Sequence, residues 1–284
     1  MKITIISDIK GEAESIIPYG LHLAKDLDAE VDVVHVLDSR VLQGTTSVYA
    51  DSQSVTPGTK MSHDEIMQRD KQQITTELNK LLSSEASRLN YPLKINVKVE
   101  ENTIKNKIIG DLNSEPSSLL IMNMQADGHN HASQKEIVES SKDFNGMCLL
   151  VPPKYGYQKI SSILLPTDFT LEEFDSYVNV ADFLQTYRPV VNAVGKANGK
   201  KQDEIEQWKI DLSKVFIDSS INHKVIESNN FDDDFIEYIE MLEPSLTVIF
   251  ERPQGFLSSM FKKELFEKVL KKTSFPVLFH SSKH

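Results

Sequence analysis

The amino-acid sequence predicts an α/β protein built as two repeated, doubly wound domains, each a parallel sheet flanked by helices. Three observations point there. Strand-like apolar runs alternate with stretches whose apolar residues recur every three or four positions, the period of a helix with one buried face. The runs are near-continuous rather than alternating, as expected of parallel strands covered on both faces. The same order of segments also occurs twice along the chain.

The first half opens on KITIISDI, Lys2 to Ile9, an apolar strand ending in Ser-Asp. Ile17, Gly20, Leu21, Ala24 and Leu27 follow at helical spacing, and EVDVVHVLD, Glu30 to Asp38, supplies a second strand. The stretch 39–65 is rich in Ser, Thr, Gln and Gly and reads as a surface insertion. A helix carrying Ile66, Ile74, Leu78, Leu81, Leu82 and Leu89 comes next. SSLLIMNM, Ser117 to Met124, and GMCLLVPP, Gly146 to Pro153, are the last strands of this half.

PPKYGYQK, Pro152 to Lys159, reads as a linker. The second half then repeats the order. SSILLPTDF, Ser161 to Phe169, ends in Thr-Asp, and Phe174, Tyr177, Val178, Ala181 and Leu184 take helical spacing. RPVVNAVGK, Arg188 to Lys196, is the second strand, and Ile205, Trp208, Leu212, Val215 and Phe216 mark the next helix. PSLTVIFER, Pro244 to Arg252, and SFPVLFHS, Ser274 to Ser281, close the repeat. The domains expected are 1–153 and 160–284, each β-α-β-α-β-α-β-α-β, and the crossovers of such units are right-handed.

Composition narrows the function. A formal charge of −11 argues against nonspecific nucleic-acid binding, which depends on Lys and Arg neutralising phosphate. A single cysteine, Cys148, excludes an internal disulfide and fits a reducing, cytoplasmic setting. The short apolar run at the N-terminus turns acidic too soon for a signal peptide or a membrane span.

In its order of segments, and above all in LLPTDF at Leu164–Phe169, YGLHLAKDLDAEVDVVHV at Tyr19–Val36 and FEKVLKKTSFPVLF at Phe266–Phe279, the chain resembles a tandem universal stress protein. The resemblance implies a Rossmann-like, five-stranded parallel sheet of order 3-2-1-4-5 in each half. It also implies dimerisation through the last strands, here Met147–Pro152 and Phe275–His280, as an internal pseudo-dimer, with a homodimer of whole chains as a further possibility.

Many members of that family bind ATP. The resemblance assigns a ribose-contacting aspartate to Asp8 and Asp168, with Pro166 matching a proline often found just before it. The family's phosphate loop has the pattern G-x-x-G, nine residues, then G-[S/T], because backbone N–H groups must approach phosphate without a Cβ in the way. Here the glycine positions are Met122, Gln125 and Lys135 in the first half and Phe250, Pro253 and Lys263 in the second, with Glu136 and Glu264 at the hydroxyl position. Gly128 and Gly255 lie nearby but out of register. Pro253 has no N–H, and the two glutamates bring negative charge where triphosphate would sit.

The expectation is therefore a non-catalytic stress-response protein with degenerate ATP-binding loops and no cofactor. The alternative is an adenine-nucleotide protein that takes ATP or AMP through Asp8, Pro166 and Asp168. The two aspartates have a second reading, as acceptors for N–H groups of the following loop or helix. A third class, hydrolysis of ATP or at a metal held by His129 and His131, has little support, because no acidic or cysteine ligand lies close in sequence. The repeated Lys-Glu (Lys135–Glu136, Lys263–Glu264) reads as a possible ion pair at a helix start, and Asp232, Asp233 and Asp234 as acids complementing a helix dipole. His35, Cys148 and Trp208 read as buried packing residues.

Overall fold

The computed structural model of the chain describes residues 1–7, 13–37, 62–114, 119–125, 133–171, 174–227, 230–251 and 263–281. The first half contains β1 (Lys2–Ser7), α1 (Ala13–Leu27), β2 (Glu30–Leu37), α2 (His63–Leu89) and β3 (Ile95–Glu101). It continues with α3 (Ile104–Lys107), which runs on as a π-helical turn (Ile108–Leu112), then β4 (Leu119–Asn123), α4 (Gln134–Asp143) and β5 (Met147–Val151). The second half has β6 (Ser162–Thr167), α5 (Phe174–Leu184), β7 (Val190–Gly195), α6 (Gln202–Val215) and β8 (Ile221–Val225). It ends with α7 (Phe231–Leu242), β9 (Leu246–Glu251), α8 (Lys263–Lys272) and β10 (Val277–Ser281).

Among the described residues these strands form one 10-stranded sheet of order β3-β2-β1-β4-β5-β10-β9-β6-β7-β8. Read inward from each edge, each half has the doubly wound order 3-2-1-4-5 with parallel pairing inside it. The halves meet where β10 pairs antiparallel with β5, Phe279 opposite Cys148 and Leu278 opposite Leu149.

Side chains alternate across the sheet, so each strand feeds two cores. Ile163 and Leu165 face one apolar cluster, shared with Ile5, Val33, Leu78, Tyr177 and Leu212. Leu164, between them, faces the other, with Leu120, Phe235, Val269 and Phe279. Both clusters contain residues of both halves, so apolar packing is continuous past the junction. Cys148 is fully buried there, and desolvation pushes its thiol up to about 12 despite a hydrogen bond with Ser141.

Helix starts follow from local chemistry. Ser62 and Glu65 form a reciprocal capping box at the head of α2, a 27-residue helix closed by Asn90 in the left-handed conformation. Residues 62–65, expected in the surface insertion, therefore belong to the helix and its cap, while 39–61 lie outside the described residues. The acids Asp232, Asp233 and Asp234 do occupy the first turn of α7. Two of them also reach α8, where Lys268 lies 3.2 Å from Asp232 and Lys272 3.5 Å from Asp233.

Two expectations need correction. Val178 is 46% exposed, because it follows Tyr177 directly and so sits about 100° round the helix from the buried stripe. The buried face of α5 is completed by Val180 and Phe183 instead. The outermost strands β3 and β8 are also not continuous apolar runs: their residues are mostly half-buried or exposed, in keeping with sheet edges. On β2, Asp32 is 5% exposed. Burial alone would raise its carboxyl, but hydrogen bonds from Lys2 and Asn96 and the nearby Lys98 outweigh that and hold it below the ordinary range.

Candidate functional site

In the second half the residues singled out from the sequence lie at the carboxyl end of the sheet, where open α/β proteins hold ligands. Pro166 is a buried member of β6. The β6–β9 pairing extends only over Ile163 and Leu164, and Pro166, lacking an N–H, has nothing to donate to a longer ladder. Asp168 is 2% exposed, and Asn198 Nδ2, from the turn after β7, donates to its Oδ1 at 3.5 Å. The N–H of Phe169 donates to Thr167 Oγ1 at 2.8 Å, a tight hydrogen bond within this turn.

Phe169 adopts φ +55°, a left-handed conformation that costs a non-glycine residue roughly 1–2 kcal/mol. Its buried ring meets Trp208 edge-on at 5.1 Å and His223 at 6.3 Å. Trp208 also donates Nε1–H to the Thr170 carbonyl at 3.1 Å and touches Phe174 at 6.1 Å. The indole therefore holds the loop after β6 by ring and by backbone. Trp208 is buried in packing, as its spacing predicted.

Phe250, the residue that the resemblance sets at a glycine position of a phosphate loop, is 4% exposed on β9. Its ring lies 5.2 Å from Tyr177 and 6.1 Å from His280, inside the core rather than over a cleft. Burial lowers the His280 imidazole, keeping it neutral at ordinary pH. Pro253 and Gly255 lie outside the described residues, and Lys263 and Glu264 open α8. A cleft of about 50 Å³ lies between α5 and α6, lined by Ala181, Gln185, Pro189 and Ile217.

In the first half Asp8, His129, His131 and Gly128 lie outside the described residues. Met122, which the resemblance sets at the first glycine position, is buried, and Gln125 is half-buried. The N-terminus of α4 is capped from within: Ser133 Oγ accepts from Glu136 N at 3.2 Å. Gln134 folds back to donate to the Met124 carbonyl at 3.0 Å. Lys135 pairs with Glu139 one turn on, at 3.7 Å. His35 is 4% exposed at the end of β2, a buried histidine as its position in an apolar run predicted.

No helix among the described residues is long and apolar enough to cross a membrane, and none of their His, Cys, Asp and Glu form a group able to hold a metal. Sequence spacing missed Asn198 and Thr167, whose roles depend on a loop brought in from β7 and on a turn geometry. The signal for Asn198 was Asn-Gly just past a strand, a turn signature that says where the chain reverses but not what the amide meets.

No family model and no curated protein sequence matches the chain. Solved structures do. A universal stress protein from Archaeoglobus fulgidus is 13% identical, with TM-score 0.68 over 99% of this chain and 98% of that one. Two chains from Pseudomonas aeruginosa, one of them functionally unknown, are 12% and 11% identical with TM-score 0.59, over 99% of this chain and 92% of theirs. At such low identity the agreement lies in the backbone, in the order of strands and helices already described. The chain has the universal stress protein fold in its tandem form.

Proposed function

We propose that this chain is a non-catalytic stress-response protein, a tandem scaffold whose second half has given up its nucleotide site. One observation supports the reading most directly: Phe250 stands at the first glycine position and its ring is packed on Tyr177 and His280 in the core. A phosphate loop needs backbone there that can meet an anion, and a buried phenyl ring commits that backbone to packing. Asp168 is buried against Asn198, and Trp208 clamps the adjoining loop. In the first half, Ser133 takes up a helix N-terminal donor that a phosphate would use. On this reading the units are 1–153 and 160–284, joined as an internal pseudo-dimer, a view supported by the antiparallel β5–β10 pairing.

Thermal unfolding with ATP and with AMP tests the proposal. A nucleotide at a hundred times its dissociation constant adds about 2.7 kcal/mol, a readily seen rise in Tm. The expected outcome is no rise with either nucleotide, for the native chain and for Asp168→Ala alike. A rise with ATP that Asp168→Ala abolishes overturns the proposal in favour of an adenine-nucleotide protein.

A further inference from the structure

The linker between the halves does more than connect them. Tyr157, half-buried in it, places its hydroxyl between two partners from different halves. The Asp26 carboxylate, near the end of α1, lies 2.5 Å away, and the Tyr187 hydroxyl, in the turn after α5, 3.2 Å away. Ionised Asp26 can only accept, so the single Tyr157 proton goes to it, and Tyr187 donates to the Tyr157 oxygen. The result is a directed chain, Tyr187 to Tyr157 to Asp26, of the kind whose members strengthen one another.

The ring is held as firmly as the hydroxyl. Tyr19 meets it edge-on at 5.2 Å, and His22 stacks on it at 5.4 Å with planes 9° apart. Tyr155, two residues earlier, lies 6.3 Å from Tyr19. Tyr19, Asp26 and His22 all belong to α1, whereas Tyr187 belongs to the second half. Burial and the hydrogen bond to Asp26 push the Tyr157 phenol far above its ordinary range, so it stays protonated and able to donate.

We propose that the linker is a latch with Tyr157 as its bolt: the strap cannot lift without breaking its contacts to α1 and to the Tyr187 turn together, so its opening is coupled to both halves. The consequence is cooperative opening rather than fraying.

Native-state tryptic cleavage at the exposed Lys154 and Lys159, which flank the bolt, reads that opening directly. Tyr157→Phe keeps the ring and loses the hydroxyl. It is expected to raise the cleavage rate at both lysines about tenfold or more, as for the loss of a hydrogen bond to a charged group. Asp26→Ala should raise it similarly, and the double variant should be cleaved no faster than the faster single one. Tyr91→Phe removes a chemically similar bond, Tyr91 to Asp28 at 2.6 Å, wholly within the first half, and should leave the rate unchanged. The latch is overturned if Tyr157→Phe is cleaved at the native rate. It is equally overturned if the two single effects multiply in the double variant, or if Tyr91→Phe accelerates cleavage as much as Tyr157→Phe.

Discussion

Gly195 lies opposite Thr167 at the end of the β6–β7 ladder, so close that a Cβ on it would stand 1.7 Å from the Thr167 carbonyl oxygen. The contact is with backbone, which cannot swing aside as a side chain can. Glycine is thus demanded by approach rather than by torsion, at the strand end that presents Thr167 and Asp168.

Gly195→Ala should therefore destabilise the protein by roughly 1–3 kcal/mol, the range for forcing an extra carbon into packed structure. Urea unfolding should show a lower midpoint with an unchanged slope. A variant as stable as the native chain would mean that β6 and β7 separate freely at this end.

Trp208 serves the loop after β6 twice, through its ring against Phe169 and its Nε1–H to the Thr170 carbonyl. Trp208→Phe should cost about 1 kcal/mol or more for the hydrogen bond, and Trp208→Ala about 3–5 kcal/mol for the lost packing. Amide exchange near Phe169 should rise more in the alanine variant, because the packing that holds the left-handed turn goes with the indole. Equal stability of the two variants would assign the whole effect to the hydrogen bond.

Alkaline pH should unfold the chain through groups buried in their protonated forms. Desolvation pushes Cys148 up to about 12 and Tyr187 up to about 12, and it raises Tyr19 and Tyr157 further. These folded-state values lie above the unfolded ones, so their contribution is fully present below about pH 9. It is lost as pH rises from there toward 12, because the unfolded chain gives up protons that the folded one retains. Tm measured from pH 7 to 11 should hold level first and fall above pH 9, with Tyr157→Phe reducing the fall. A Tm independent of pH across that range counts against burial of these groups.

The inner strands were legible because both their faces are apolar, so LLIMN, MCLLV and VLFHS announce themselves. The edge strands INVKVEE and INHKV were not, since half-exposed residues leave no continuous run to read. Helical spacing located the buried stripe of α5 but misassigned Val178, which is apolar and exposed. At the candidate site, the bulky residues Phe250 and Met122 were visible as residue types. What fills the space was not: the Tyr177, Phe250 and His280 rings come from a helix and two strands, brought together only by the sheet.

The chain's own residues determined the α/β class, the repetition of one unit, and the burial of Cys148 and Trp208. These are local matters of periodicity, apolarity and backbone freedom, which a stretch of a dozen residues expresses by itself. Tertiary structure alone decided that Asn198 meets Asp168, that Trp208 clamps the turn at Phe169, and that Tyr157 joins Asp26 to Tyr187 across 131 and 30 residues of chain. Such contacts depend on where the sheet places distant loops and helices, and side-chain hydrogen bonds leave no period in the sequence to announce them.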